Sequence, residues 1–358
     1  MKNFQIEILT TDDSDRWNKV LSKVKHDFYH LPSYHKLAEI MGEGKAMMIV
    51  YKEDDYIICY PFLLRDIKEV GNVKINGDFK DISSVYGYAG PLKSGKIPVD
   101  IKRKFIQYLN EFLLNNNVVT LFSRLHPLLE QTDLIFELGE ITEIGPTISI
   151  DLTQSLEVQR KNYARSYKYQ INRLIRNGYH VIESTDDFYW NEFIRIYYKN
   201  MDRVNAAEYY YFEKSYFDFM KNNMNDVIKL FVCIGNDKVV SGGIFSLCNK
   251  IIQYHLGGSD PEYLKYSPIK LIFDEVRLWG NKMGAEIFHL GGGVGGRIDS
   301  LFKFKLGFSK NQHTFRIWKY IANLEVYNEL KKIALNLSDL NENTFFPIYR
   351  HPQLKVKN

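Results

Sequence analysis

The segment from Glu286 to Ser309 holds the residue types that could carry out chemistry. An apolar run at its start predicts a short buried strand, and Lys303 and Lys305 lie further on. Glycine lets a backbone approach a ligand closely, so backbone N–H groups and a positive charge would meet an anionic or carbonyl-bearing substrate. A flexible surface turn with two solvated lysines is the alternative. The glycines between strand and lysines occupy five of six positions: Gly291, Gly292, Gly293, Gly295 and Gly296.

The two lysines would compete for one role if the segment were extended. Side chains two residues apart in a strand lie on the same face, so Lys303 and Lys305 would both face the substrate. The elements that must position this segment are therefore the strand before it and the helices packed on that strand.

Composition limits the class of protein. A chain of 358 residues is long enough for two domains, and 45% hydrophobic with 25% charged residues is typical of a globular protein. The net charge of +4 is too small to indicate DNA binding by itself. No signal sequence or membrane span is expected, which predicts a cytoplasmic protein, with the inner face of the membrane as a candidate location. The three cysteines have no metal-binding spacing, so we expect reduced core residues and no metal.

A basic amphipathic helix is predicted over Gln159 to Asn177, closed by Gly178. Its apolar face, which includes Ile171 and Ile175, would dock on the protein. The opposite face would present cations to an anionic donor substrate, or it is merely solvated. The cations on that face are Lys161, Arg165, Lys168 and Arg176.

Both halves of the chain show the same order of predicted elements: strand, helix, β-hairpin, helix and strand. This order predicts an α/β protein of the α+β type, with two domains whose mixed sheets are mostly antiparallel. The first domain is expected at 1–150, with the C-terminal segment 321–358 as a candidate addition, and the second at 151–320. In the second half, helices are predicted at 186–201, 211–223 and from Pro268, and strands at 228–234, 239–247, 251–256 and from Ile287.

Four stretches carry a resemblance that covers nearly the whole chain. They are INRLIRNGY, IIQYHLGGS, SPIKLIFDEVRLWGNKMG, and FHLGGG followed by LFKFKLGF. These stretches resemble the Fem family of aminoacyltransferases, which implies two tandem acetyltransferase-like (GNAT) domains. The resemblance also implies transfer of amino acids from aminoacyl-tRNA to a peptidoglycan precursor, with Lys305 acting as a cation on the aminoacyl donor. A surface lysine beside packed aromatic rings is the alternative for Lys305.

Two more substrate contacts in the second domain are implied by the resemblance. Either Tyr254 or His255 would contact substrate, since only one of two successive strand residues can face the cleft. Arg203 would hold the phosphates of a nucleotide-linked sugar precursor. The alternatives are packing in the core for Tyr254, and an ion pair with Asp202 or Glu208 for Arg203.

The first domain resembles the family less closely. Lys36 and Tyr34 look like contacts to the acceptor. Where the family reads Arg-Ile-Asp-Pro, this chain has Arg124-Leu125-His126-Pro127, so an imidazole replaces the carboxylate that helps the acceptor amine lose its proton. His126 could still accept a proton, which favours a different amine, such as an amino sugar of a surface glycan. His289 is a second candidate base, and a hydrogen-bonded core histidine is the alternative.

Three functions remain open at this stage. The first is a Fem-like transferase that forms an amide on an amine of a cell-envelope precursor. The precursor belongs to peptidoglycan or to a surface glycan, and it is a nucleotide- or lipid-linked sugar. The second is an acyl-CoA-dependent N-acetyltransferase acting on an amino sugar. Against it, the segment before Pro268 has acidic residues where CoA phosphates would need donors. The third is a non-catalytic GNAT-fold module that binds anionic lipid or RNA. No tightly bound cofactor is expected, only aminoacyl-tRNA or acyl-CoA as co-substrate.

Overall fold

The computed structural model describes residues 4–135, 137–341 and 345–354. It contains two compact units. Unit 1 is formed by the described residues of Met1–Ile144 and Phe315–Asn358, and unit 2 is Gly145–Thr314. The predicted divisions at 150 and 320 and the observed ones all fall within the same two strands, β9 and β15, whose ranges follow.

The first part of unit 1 begins with a strand and two helices and continues into a β-hairpin. Its elements are β1 (Phe4–Thr10), α1 (Ser14–Leu21), α2 (Pro32–Ile40), β2 (Lys45–Glu53), β3 (Tyr56–Asp66), β4 (Glu69–Val70), β5 (Val73–Lys74), β6 (Lys80–Ser83), β7 (Leu92–Lys93), α3 (Val99–Asn115) and β8 (Val118–Leu125).

The chain enters unit 2 through β9 and leaves it through β15. The elements in order are β9 (Glu140–Asp151), α4 (Leu156–Lys161), α5 (Arg165–Arg176), β10 (His180–Ser184), α6 (Asp187–Arg203), α7 (Lys214–Asn223), β11 (Ile228–Gly235), β12 (Lys238–Cys248), β13 (Ile251–Ser259), α8 (Ile269–Lys282), β14 (Ile287–Gly292), α9 (Ser300–Leu306), β15 (Asn311–Ile321) and α10 (Leu324–Leu337).

The sheet of unit 1 has the order β1-β2-β3-β6-β8-β15. All its pairs are antiparallel except β6 with β8. The apolar stripe of α3, which includes Phe105 and Leu109, is buried against this sheet. The C-terminal segment packs beside α10, where the Tyr349 and Thr120 hydroxyls are 2.7 Å apart and Arg350 Nε lies 2.9 Å from Asp81 Oδ2. Unit 1 is therefore completed by the end of the chain.

The sheet of unit 2 has the order β9-β14-β13-β12-β11-β10. It is antiparallel except between β13 and β14. The hairpin predicted around 236 and the third antiparallel strand are confirmed. The apolar residues of α5 and α8 pack in one core with those of β13, β14 and α9. The mixed, mostly antiparallel sheets expected for both halves are thus present.

One sequence-based interpretation of local structure is wrong, and one condition considered for the sequence is not met. The predicted helix over 159–177 is interrupted between Lys161 and Arg165, and Ile175 is 50% exposed rather than part of the docked face. The segment with Lys303 and Lys305 is the helix α9, not an extended strand. Since helical residues two apart point in nearly opposite directions, the two lysines do not share a face.

Candidate functional site

In unit 2 the parallel pair β13 and β14 separates part-way along its length. The two strands pair from Ile251↔Ile287 to Gln253↔His289. Beyond that point β13 pairs with β12 and β14 pairs with β9, and each pairing contains a register shift near the point of separation. Bulges of this kind bend a strand and increase its twist. Side chains from helices packed on the sheet can therefore enter between the two strand ends.

Lys305 enters at this place. Its residue is 6% exposed, its Nζ donates a hydrogen bond to the Gly292 carbonyl oxygen at 2.6 Å, and Nζ lies 5.7 Å from the centre of the Tyr254 ring. The structure thus brings together Lys305 from α9, Gly292 from the end of β14 and Tyr254 from β13.

The surroundings of Lys305 change its acidity. Burial lowers the pKa of the Lys305 ammonium to about 7, and the Asp299 carboxylate acts in the opposite direction. The resemblance implied only that Lys305 acts as a cation. With a pKa about 7, the side chain can instead gain or lose a proton near neutral pH.

The glycine loop between β14 and α9 is folded around a carboxylate of the chain. Asp299 caps α9 by accepting the Phe302 N–H at 2.9 Å, and it also accepts the Val294 N–H at 2.9 Å. A Cβ at Gly293 would come within 2.1 Å of the Arg297 carbonyl oxygen. Glycine is therefore required at position 293 because other atoms of the same loop occupy the space of a side chain. Gly291 has φ +77°, a left-handed conformation that favours glycine.

Tyr254 and His255 lie on opposite sides of β13. Tyr254 faces Lys305, and burial raises the pKa of its phenol. His255 lies 2.8 Å through Nε2 from the hydroxyl of Tyr216 on α7, and burial lowers its pKa to about 3. Of the two candidates, Tyr254 is the residue placed beside Lys305.

The remaining cations expected to bind the donor are on the surface of unit 2. Lys303 is exposed on α9. Lys161, Arg165 and Arg176 are exposed, and Lys168 is half-buried with its Nζ 3.2 Å from the Lys161 carbonyl oxygen. Four of these five cations are therefore free to meet an anion from solvent.

In unit 1, His126 is buried in a polar cluster. Its Nε2 lies 2.9 Å from Asp27 Oδ2, and its Nδ1 accepts the Leu128 N–H at 3.2 Å. The side chains of His126 and Asp27 are both 0% exposed. Because Nδ1 accepts a hydrogen bond, the proton must be on Nε2, which donates it to Asp27. A carboxylate is thus present beside His126, supplied by a residue 99 positions earlier.

The other predicted contacts have hydrogen-bond or ion-pair partners outside these two clusters. The Tyr34 hydroxyl is buried and donates to the Tyr86 carbonyl oxygen at 3.1 Å, whereas Lys36 forms an ion pair with Glu39 at 2.8 Å. Arg203 is exposed at the end of α6 and donates to Asn200 Oδ1 at 2.7 Å.

His289 has partners on both ring nitrogens. Its Nδ1 lies 2.7 Å from Gln253 Oε1 and its Nε2 lies 2.9 Å from Thr147 Oγ1. The residue is fully buried, which agrees with a hydrogen-bonded core histidine.

Comparison with solved structures identifies the fold. FemX aligns with a TM-score of 0.68 at 12% identity, over 91% of this chain and 99% of FemX. The chain has the Fem-like tandem GNAT fold. The C-terminal domain of a putative lysylphosphatidylglycerol synthetase from Agrobacterium fabrum aligns at TM-score 0.56 and 14% identity, over 90% of this chain and 96% of that one. L-PGS from Bacillus licheniformis aligns with a TM-score of 0.55 at 14% identity, over 88% of this chain and 94% of L-PGS. No protein-family model matches the sequence, and no curated protein matches it either.

The sequence did not predict three residues that lie beside the candidate sites. Asp299 could have been found, since Asp followed by a short apolar run is a helix N-cap signature. Asp27 could not, because its partner His126 is distant in sequence. Lys270 is buried on α8 with its Nζ 3.8 Å from the centre of the Tyr167 ring, and burial lowers its pKa to about 8.

Among the described residues of this Fem-like chain, no helix is long and apolar enough to cross a membrane. The same residues contain no group of histidine, cysteine and acidic side chains arranged to hold a metal ion.

Proposed function

We propose that the protein is an acyltransferase that moves an aminoacyl group from aminoacyl-tRNA to an amine of a cell-envelope precursor, forming an amide. The observation that carries this proposal is the buried Lys305 ammonium, with its pKa about 7, beside Tyr254 where β13 and β14 separate. A buried lysine of this kind is expensive for stability, and perturbed groups of this kind concentrate at functional sites.

The chemistry requires one proton to leave and one to arrive. The neutral acceptor amine attacks the ester carbonyl, so a C–N bond forms and an oxyanion develops. When the C–O bond breaks, the leaving oxygen of the donor must gain a proton, and the amine nitrogen must lose one. Lys305 as an ammonium stabilises the negative charge and donates the proton to the leaving oxygen. It is then reprotonated from the amine or from water.

The donor is proposed from the loop before α8. Asp260 accepts the Glu262 N–H at 3.2 Å and pairs with Arg195 at 3.2 Å. A carboxylate of the chain thus accepts a backbone N–H of this loop and adds negative charge to it, which disfavours a bound pyrophosphate. This arrangement favours aminoacyl-tRNA over acyl-CoA, and the exposed cations of α5, Arg165 and Arg176, are suitable for a nucleic acid backbone.

The acceptor is proposed from the similar solved structures and from an exposed cation of unit 2. FemX and the lysylphosphatidylglycerol synthetase support transfer of an aminoacyl group. In this proposal the acceptor is a nucleotide- or lipid-linked sugar precursor that carries an amine. Arg203, which is exposed, is the candidate phosphate contact.

The test is to offer radiolabelled aminoacyl-tRNA and radiolabelled acetyl-CoA in parallel, each with a cell-envelope precursor extract. We expect label from aminoacyl-tRNA to enter the precursor fraction with an alkali-resistant amide bond. Lys305→Ala should reduce the rate by about 100-fold or more, because general acid catalysis contributes about that much. Lys282→Ala, which changes an exposed lysine at the end of α8, is the control and should act like wild type.

The outcomes separate three functions. Transfer from acetyl-CoA alone would replace the aminoacyl donor with acyl-CoA. Full activity of Lys305→Ala would remove Lys305 from the mechanism. Binding of precursor or RNA with no transfer of either label would indicate a binding module.

A further inference from the structure

The loop and helix that carry Lys305 expose three large aliphatic side chains. Val294 is 49% exposed, Ile298 66% and Leu301 38%. They lie within eight consecutive residues, whereas exposed apolar side chains on a protein surface are usually scattered singly. Leu301 is one helical turn before Lys305 on α9, a rise of about 6 Å. The exposed aliphatic residues are thus next to the candidate catalytic lysine.

The charges around these aliphatic residues have one sign. From 291 to 314 the basic residues are Arg297, Lys303, Lys305 and Lys310, and the one acidic residue is Asp299. Arg297, Lys303 and Lys310 are exposed. The Asp299 carboxylate accepts the N–H groups of Val294 and Phe302, so its charge is directed into the loop. The surface of the segment is therefore apolar and cationic.

More cations lie on the neighbouring helix. The Ala164 N–H donates to the Gly307 carbonyl oxygen at 2.8 Å, and the Tyr167 hydroxyl donates to the Phe304 carbonyl oxygen at 3.0 Å. These bonds join the start of α5 to the end of α9. The exposed Arg165 is thereby held next to this segment.

We propose that the segment 293–303 is a membrane-docking surface that seats on an anionic phospholipid bilayer. Val294, Ile298 and Leu301 enter the boundary between headgroups and acyl chains, and Arg297 meets lipid phosphates. Exposed aliphatic side chains combined with cations are what such an interface requires, and they are not what an RNA backbone requires. The inference rests on the proposed function only in the role of Lys305, which docking would place near a lipid-linked acceptor.

The experiment measures co-sedimentation of the full chain with vesicles. One set is phosphatidylcholine alone and the other is an equal mixture of phosphatidylcholine and phosphatidylglycerol. Wild type should bind the mixed vesicles about 10-fold or more tightly than the neutral ones, and added salt should weaken binding. The triple variant Val294→Ser, Ile298→Ser, Leu301→Ser should lose about 10-fold or more of its affinity for mixed vesicles. Arg297→Gln should reduce the preference for the anionic lipid by about 5-fold.

Matched controls use exposed apolar residues elsewhere in unit 2. Phe188→Ser with Met283→Ser changes side chains that are 62% and 56% exposed, and this variant should bind like wild type. Thermal unfolding of every variant should match wild type. Three results would each overturn the docking surface. The triple variant could bind vesicles as tightly as wild type, the control variant could lose binding, or wild type could fail to bind. Loss of tRNA binding instead of vesicle binding in Arg297→Gln would overturn it in favour of RNA.

Failure of the proposed function gives a different result. Lys305→Ala changes a buried side chain and should bind vesicles like wild type whether or not it transfers an aminoacyl group. If wild type transfers neither label yet the triple variant loses vesicle binding, the docking surface stands and the proposed reaction does not.

Discussion

Lys305 is the residue at which function and stability conflict most directly. The ammonium is removed from water, and its nearest polar partner is a neutral carbonyl oxygen. Burial of a charge without a close counter-ion favours the neutral form, and this lowers the pKa. The free energy that lowers this pKa also reduces the free energy of unfolding. It does so at every pH at which the unfolded chain binds the proton more tightly than the native chain.

Lys305→Met should therefore stabilise the protein at neutral pH. The native pKa of about 7 lies below that of an unfolded lysine, so the unfolded chain binds more protons between about pH 7 and 10.5. The stability contribution of this lysine rises as pH rises through that window. At pH 7 the free energy of unfolding should increase by roughly 2 to 4 kcal/mol in Lys305→Met. Urea unfolding measures this, and Lys303→Met should change it by less than about 0.5 kcal/mol. A destabilised Lys305→Met protein would show that the buried group is not an isolated charge.

The rate of transfer should report the same proton. If the ammonium of Lys305 donates to the leaving oxygen, kcat at saturating acceptor falls as pH rises through about 7. Lys305→Arg cannot lose its proton in this range, so its kcat should be lower by about 100-fold and should lack the fall near pH 7. A wild-type rate that rises through pH 7 would identify Lys305 as a base.

His126 and Asp27 are predicted to stabilise unit 1 rather than to transfer protons. Asp27 accepts the Phe28 N–H with Oδ1 and faces His126 with Oδ2, so the single amide oxygen of Asp27→Asn can replace only one of these acceptors. Turning the His126 proton to Nδ1 would oppose the Leu128 N–H. One buried donor then loses its acceptor, which costs about 1 to 3 kcal/mol of unfolding free energy. Urea unfolding checks this cost. The kcat per folded molecule should stay within about 3-fold in Asp27→Asn and His126→Gln, and a loss of about 100-fold would restore His126 as a base.

At the scale of elements, α9 shows how far the sequence could be interpreted. Alternating Phe and Lys from Phe302 to Lys305 is compatible with an extended segment, but Asp299 caps a helix there. Helical geometry then buries Phe302 and Lys305 and exposes Lys303. The strands and helices with long periodic patterns, such as β11, β12 and α8, were predicted well because the packing of one face determines each pattern. Contacts between distant segments, such as Asp27 with His126, leave no local pattern.

The glycine loop should be sensitive at Gly293 and tolerant at Gly295. A Cβ at Gly293 would lie 2.1 Å from the Arg297 carbonyl oxygen and 2.4 Å from Asp299 Oδ1, so Gly293→Ala must displace the cap of α9. We expect transfer to fall by about 10-fold or more, because Lys305 is carried by that helix. At Gly295, with φ +60°, a Cβ would have nothing within 4 Å. Asn tolerates this conformation, so Gly295→Asn is the control and should keep wild-type activity. Equal activity of Gly293→Ala and Gly295→Asn would show that the conformation of the loop does not affect the reaction.

At the scale of the whole molecule, each unit contains its own core and its own buried histidines. Unit 1 buries His30 and His35, and unit 2 buries His255. Burial lowers the pKa of His30 well below its usual value, with nearby His126 adding to the effect, and lowers that of His35 to about 4. The alternation of apolar and polar residues that revealed the strands gave no indication of these imidazoles, because a histidine is compatible with either face.

The buried histidines should make the protein sensitive to mild acid. An unfolded histidine titrates near pH 6.5 and native His35 near pH 4, so the unfolded chain binds more protons between these values and stability falls as pH falls through them. For His35 alone the loss amounts to about 3 kcal/mol. His35→Asn retains a group that can donate to the Leu31 carbonyl oxygen in place of Nδ1 and cannot titrate. Urea unfolding from pH 7 to pH 4 should therefore show a shallower decline for His35→Asn, and an unchanged decline for the exposed His180→Asn. Because the slope is compared rather than the stability at one pH, a cavity left by Asn does not affect the test. Parallel declines for wild type and His35→Asn would mean that His35 is protonated without unfolding.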